Sequence, residues 1–335
     1  MERGKYPRHK VCGEFVSAES LGILRSLLEG TDFFESRGEN FARISLSRIF
    51  VDGSVLETPI APPAASIARV ELDIALWKAA IAAGADARQL QTVQSITGSG
   101  PFVVSSSERF VGRTVIDASG RWSNLSAPRS EVRHGSTTKW LGLKAHFLEP
   151  VLVPSVDLYF FEGGYCGVQP LGAINGRYRI NACAMVRSDL ASSLSQVFQR
   201  HPVLRDRCKQ WIPASEPVTT SPLIFRKPDA EHDRVLLAGD AAGFVDPFVG
   251  DGISLALRSG VMAADTLQGV FADGLSLDEA CRIYRQEYER RLMPVFKNSS
   301  RVRRLFLLPA FVRVPLARFF QHTPGLTRYL VQKTR

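Results

Sequence analysis

The chain has 335 residues, 45% hydrophobic and 22% charged, the composition of a globular protein with one large or two ordinary domains. No apolar run reaches membrane-spanning length, Met1–Arg8 lacks the apolar core of a secretory leader, and five scattered cysteines without a C-x-x-C pair argue against zinc sites and disulfide scaffolds and predict reduced thiols in the cytoplasm. The net charge is +9, but residues 301–335 hold eight basic side chains and no acid, which leaves the rest nearly neutral and excludes a uniformly basic nucleic-acid binder.

In chain order, Ser17 to Glu29 is predicted as a helix, with Ser17 as N-cap and Leu21, Leu24 and Leu28 at helical spacing. A less regular stretch to Pro63 turns at Asp52-Gly53. A second helix runs from Glu71 to Ala83 and is ended by Gly84. Short alternating segments follow at 92–97, 102–105 and 109–111, with Gly98-Ser-Gly100 as a hairpin turn rather than a nucleotide loop. Thr114 to Trp122 is an apolar strand ending in a polar turn.

Residues from about Trp140 to Leu223 lack sustained helical periodicity, and Asn175-Gly176 is a strong hairpin signal between strand-like runs. The prediction is an antiparallel sheet, with Tyr159, Phe161, Tyr165 and Gln169 as candidates to line a cavity and core or sheet-face packing as the alternative, and the favoured role, for any one of them. Next, Val235 to Ala238 is an apolar strand that ends in Gly239-Asp240, followed by a Pro/Gly loop from Asp246 to Gly252 and a helix from Ile253 to Phe271, stopped at Gly274. This puts a carboxylate at the end of a buried strand and a helix amino terminus about a dozen residues later, a pair suited to a polyhydroxyl chain and an electron-rich ring edge. Ser276 to Glu279 is a capping box for a further helix to about Pro294. In the tail, Leu305, Leu308, Val312, Leu316 and Phe319 alternate with arginines, while Pro309 and Pro315 break any single helix. Short basic amphipathic helices suit an anionic membrane surface; the alternative is that the apolar side covers the core.

The run from Arg234 to Leu257 resembles the second FAD fingerprint of flavoprotein hydroxylases of the para-hydroxybenzoate hydroxylase type, and more closely that of the geranylgeranyl reductase-like branch. The resemblance implies that Asp240, with Gly239, holds the ribityl chain. Pro247, Gly250 and Gly252 would line the flavin ring, and the N–H groups of Gly252 and Ile253 would face its pyrimidine edge. Thr114 to Trp122 resembles the middle motif of the same proteins, with Asp117 and Gly120 at the matching positions; strand-end turn geometry is the alternative.

The front of the chain differs from that family. No G-x-G-x-x-G loop occurs. Pro7-Arg-His-Lys-Val-Cys-Gly-Glu14 is similar to the family segment that follows the second strand. On that alignment Glu2 is the ribose acid, Arg8 and Lys10 reach the phosphates or are simply solvated at the surface, and the βαβ unit before them, roughly thirty residues, is absent. The expectation is an N-terminal truncation, by a late start codon or a broken gene. Cys12 would lie beside the flavin or simply pack. Arg69 would touch the cofactor or form a structural ion pair.

The implied architecture is α/β: a parallel-sheet, Rossmann-like FAD domain from 1–45, 64–122 and 225–275, an antiparallel substrate domain from 46–63 and 123–224, and a helical region with a basic tail from 276–335. The implied function is an FAD-dependent oxidoreductase, foremost a monooxygenase, using NAD(P)H on a hydrophobic small molecule of polyketide, quinone or prenyl type. Prenyl double-bond reduction and a non-catalytic remnant are the alternatives. Neither a metal nor nucleic acid is expected; peripheral membrane contact through 301–335 is. No general acid or base can be named, because His9 and His146 have no partner evident from spacing.

Overall fold

A computed structural model describes residues 1–35, 41–121, 125, 139–174, 176–220, 223, 227–244, 250–306, 312, 314 and 315. Strand β1 (Phe15–Val16) leads into helix α1 (Ala18–Leu27). Ser17 occupies the N-cap position, but its hydroxyl bonds Ser254 Oγ at 2.7 Å instead of capping the helix. The stretch expected to be irregular is a long hairpin, β2 (Ala42–Val51) and β3 (Ser54–Ser66), turning at Asp52-Gly53 as predicted. Its prolines obscured it. Pro62 and Pro63 fall in a bulge between the Ile44↔Ala64 and Leu46↔Pro59 pairs, where β3 lacks a partner on its other side, so no ladder N–H is missed. Helix α2 (Arg69–Ala82) follows, then the hairpins β4 (Ser95–Thr97), β5 (Phe102–Ser105) and β6 (Arg109–Gly112), and β7 (Ile116–Asp117). Gly98 and Gly100 both have positive φ in the predicted turn.

The main sheet gains β8 (Trp140–Glu149), β9 (Ser155–Phe161), β10 (Gly164–Ile174) and β11 (Arg177–Arg187). Helices α3 (Leu194–Phe198) and α4 (Pro202–Arg207) follow, then β12 (Ile212–Pro213) and β13 (Val218–Thr220). The nine strands run β1-β3-β2-β9-β10-β11-β8-β12, with β13 also on β8, and all pairs are antiparallel except β2–β9. The hairpin expected at Asn175-Gly176 joins β10 to β11, although Asn175 lies outside the described residues. One sheet face buries Phe50, Tyr159, Val168 and Ile180 against α3 and α4.

Strands β14 (Glu231–His232) and β15 (Val235–Leu237) form a small sheet with β7, in which β15 and β7 are parallel. Helices α5 (Gly252–Ala272), α6 (Leu277–Arg291) and α7 (Met293–Phe306) complete the described chain. The Ser276–Glu279 capping box forms as predicted. Buried Val235, Leu236 and Leu237 pack on Leu255, Ala263 and Tyr284, and the Tyr284 hydroxyl donates to the Leu237 carbonyl at 2.7 Å. These contacts lock β15 to α5 and α6, which fixes where its end points. The fold is therefore mixed α/β with an antiparallel platform. Among the described residues no helix is long and apolar enough to cross a membrane.

Candidate active site

A cavity of about 2020 Å³ lies between the main sheet and the small one. Ligand pockets commonly measure about 300–1,000 Å³, so this one has room for a large cofactor and a second molecule. Strand periodicity sets its sheet wall. Ile49 and Val51 on β2, Val156 and Leu158 on β9, Tyr165 and Gln169 on β10, and Met185 on β11 share one face. Tyr165 and Gln169 thus line the cavity as predicted. Tyr159 and Phe161 do not: they alternate with Leu158 and pack on the opposite, helix-covered face.

The other wall comes from the strand ends and α5. Gly239 and Asp240 follow β15, and Gly239 adopts φ +59°, a conformation that suits glycine. Its N–H donates to Ser259 Oγ on α5 at 2.8 Å. Asp240 lines the cavity beside Arg121, whose Nε lies 3.8 Å from Asp240 Oδ2 and whose guanidinium covers the Phe244 ring at 4.3 Å. Burial between deep walls raises the Asp240 carboxyl above its ordinary range, with Arg121 opposing. A carboxylate this poorly compensated is suited to accept hydroxyl hydrogen bonds. Arg121 was not singled out in the sequence; its place directly after Gly120 is the signal that pointed to it.

Gly250, Gly252 and Ile253 line the same cavity, so the first turn of the 21-residue α5 opens onto it with orphan N–H groups. Pro247 lies outside the described residues. Asp117 and Gly120 also reach the cavity. The Asp117 carboxylate, however, accepts from the Ser119 N–H at 2.9 Å and hydroxyl at 2.6 Å, which is the turn-forming role.

The amino-terminal residues form the remaining rim. Glu2 accepts from the Gly4 N–H at 2.7 Å, the Tyr6 hydroxyl at 2.9 Å and Arg8 at 3.0 Å. Burial would raise its pKa, but these donors outweigh burial and hold Glu2 below the usual carboxylate range. Arg8 therefore pairs with Glu2, and Lys10 with Asp73 at 2.7 Å. Arg69 makes a two-pronged bond to Asp73 at 2.7 and 2.9 Å and also lines the cavity. Glu2, Arg8 and Lys10 all line the cavity, so a polyanion there would compete with Glu2 for Arg8 and with Asp73 for Lys10.

Sequence reasoning missed one cluster. Glu14, with no exposed surface, accepts from Lys144 Nζ at 3.0 Å and the Arg69 N–H at 2.8 Å, and bonds His146 Nε2 at 2.7 Å. Burial works to raise its pKa; the His146 bond and the Lys144 charge outweigh it and keep Glu14 ionised. Lys144 and His146 share one face of β8, so the i, i+2 spacing was the available signal. Their partner lies some 130 residues earlier, which spacing alone does not reveal.

No family model matches the chain. By structure it has the fold of the FAD-dependent halogenases. The flavin-dependent brominase Bmp2 superposes with a TM-score of 0.75 at 16% identity, covering 99% of this chain and 85% of that one. The myxobacterial chondrochloren halogenase CndH gives 0.68 at 18%, covering 89% and 76%. By sequence, 313 residues are 23% identical to conditioned medium factor receptor 1 of Dictyostelium discoideum, 81% of this chain and 58% of that protein. Digeranylgeranylglycerophospholipid reductase 2 of Methanopyrus kandleri is 24% identical over 153 residues, 45% of this chain and 39% of that protein. The chloroplastic geranylgeranyl diphosphate reductase of Oryza sativa subsp. japonica is 34% identical over 82 residues, 24% and 18%. The chain thus spans less than two thirds of the length of each of these three relatives. The solved structures thus share the fold that the sequence resemblance implied, and a likeness to halogenases was not suggested by the sequence.

Proposed function

We propose that the cavity binds FAD and that the chain is an FAD-dependent oxidoreductase acting on a hydrophobic small molecule, with NAD(P)H as reductant. One observation carries this reading. Asp240 at the end of β15 and the first turn of α5 line one cavity whose far wall is an apolar sheet face. Bound FAD would supply the electron and hydride chemistry. The chain's part is to hold polyhydroxyl and ring edges at Asp240 and at Gly252 and Ile253, and to present the substrate from the side of Val156, Leu158 and Met185. Glu2, Arg8 and Lys10, which line the same cavity, would take the ribose and phosphates.

Oxygen-dependent turnover is the first reading, supported by the likeness to FAD-dependent halogenases. Reduction of a prenyl double bond is the second, favoured by the sequence likeness to two geranylgeranyl reductases. The purified protein is titrated with FAD, and its visible spectrum recorded. NAD(P)H oxidation is then followed with and without oxygen. Oxygen-dependent turnover with an oxidised product supports the first reading; anaerobic saturation of a prenyl substrate supports the second. A protein that stays colourless and takes up no FAD is the non-catalytic remnant. Peripheral membrane contact through 301–335 is part of the same proposal, and deleting that segment is expected to abolish binding to anionic vesicles.

A further inference from the structure

The cavity rim contains titratable side chains that cofactor binding does not use. Glu14 and His9 line the cavity, and Lys144 and His146 stand behind them on β8. Lys144 Nζ lies 3.0 Å from Glu14 Oε1 and 3.4 Å from His9 Nδ1, while His146 Nε2 lies 2.7 Å from Glu14 Oε2. The His9 and His146 rings meet edge to face, 5.2 Å between centroids. Glu14 also holds a left-handed backbone, φ +62°. Lysine is almost never fully buried unless paired. A plain structural pair would need one cation; here an ammonium and an imidazole both bond one carboxylate, and a second imidazole, His9, carries the contacts from the ammonium to the cavity.

We propose that His9 is the cavity-facing end of a buried proton relay, His9–Lys144–Glu14–His146, which gives a proton to the ligand bound in the cavity as that ligand is reduced. This rests on the flavin reading above. Burial lowers the His9 pKa, Lys144, His146 and Arg179 lower it further, and Glu14 opposes them, so the ring is neutral near pH 7. A charged lysine has only protons to give. The His9 Nδ1 next to it is therefore the acceptor, and Nε2 carries the hydrogen. Hydride from the nicotinamide donor leaves the ligand with one more negative charge. The Nε2–H bond of His9 breaks and its proton neutralises that charge, while Nδ1 takes a proton from the Lys144 ammonium. The Lys144 amine stays hydrogen-bonded to Glu14 until solvent returns the proton through His9. Electrons move only with the hydride; the relay moves only H⁺.

The test has two arms. In flavin-free protein, NMR titration of the His9 ring is compared between the parent and Lys144→Met, with Lys144→Gln as the second variant. Removing the ammonium is expected to raise the His9 midpoint; an unmoved midpoint overturns the relay. In FAD-loaded protein, His9→Gln removes no buried charge. It is expected to slow the proton-coupled step about 100-fold, typical of a lost general acid, and to flatten its pH profile. FAD uptake should be retained. FAD uptake with a retained pH profile in His9→Gln overturns the relay alone. Failure of the parent to take up FAD overturns the flavin reading, and the relay's role with it.

Discussion

The ammonium of Lys144 lies 3.0 Å from Oε1 of Glu14, and both side chains are closed to water. Breaking such a pair from one side strands a charge, at a cost of about 3–5 kcal/mol. Lys144→Met is expected to lose that much stability in urea denaturation at pH 7. The double variant Lys144→Met/Glu14→Gln should recover a large part, because no charge is then left unpaired. A double-variant loss equal to the sum of the two single-variant losses would show that the pair is uncoupled.

Glu14 gives this stability a pH dependence. Its folded pKa lies below the unfolded one, near 4.3 for a free glutamate. Its contribution is therefore present above the unfolded pKa and is lost as pH falls through the folded value. Glu14→Gln should be clearly less stable than the parent at pH 7, and the gap should close in acid. Denaturation curves at stepped pH check this; a gap that widens in acid has the wrong sign.

Asp240 has the opposite sign. Its folded pKa is raised, so the contribution is full below the unfolded value, about 3.9, and lost as pH rises through the folded one. In flavin-free protein Asp240→Asn should be at least as stable as the parent at pH 7, yet should bind FAD far more weakly. Thermal melts with a fluorescence titration of FAD separate the two effects.

On the far face of the sheet, buried Asp157 accepts from Arg48 Nε at 2.8 Å, Arg207 Nη1 at 2.7 Å and Ser155 Oγ at 2.6 Å. Asp157→Ala takes the carboxylate from Arg48, while Arg207 keeps its two-pronged bond to Glu149 at 2.7 and 3.0 Å, so the change should cost about 1–3 kcal/mol. Because β9 points this residue away from the cavity, FAD affinity of the folded protein should not change. A large loss of affinity would mean that the two faces are coupled.

Gly239 tests the strand end itself. A methyl group there would sit at φ +59° and 3.2 Å from Ala256 Cβ on α5. Gly239→Ala is expected to cost about 1–2 kcal/mol from the left-handed backbone, and to weaken FAD binding by shifting α5. Denaturation together with FAD titration measures both; unchanged stability would mean that the loop relaxes freely.

Local patterns carried much of the fold. The capping box at Ser276, the strand ending at Gly239-Asp240 and the hairpin at Asn175-Gly176 depend on neighbouring residues, so they could be read directly. The β2–β3 hairpin could not, because its prolines sit in a bulge that only the pairing explains. The side taken by Tyr159 and Phe161 stayed open for a related reason: alternation says that residues 158 and 159 face opposite ways, but not which way is the cavity.

The sequence by itself determined that an acid ends a buried strand before a glycine-bounded helix, because strand, turn and helix signals act over a few residues. Only the tertiary structure decided which side chains meet across the chain. It set Glu14 against Lys144 and His146, Arg121 beside Asp240, and Lys10 on Asp73. The physical reason is that a buried charge must find a partner wherever packing supplies one, and packing is not local.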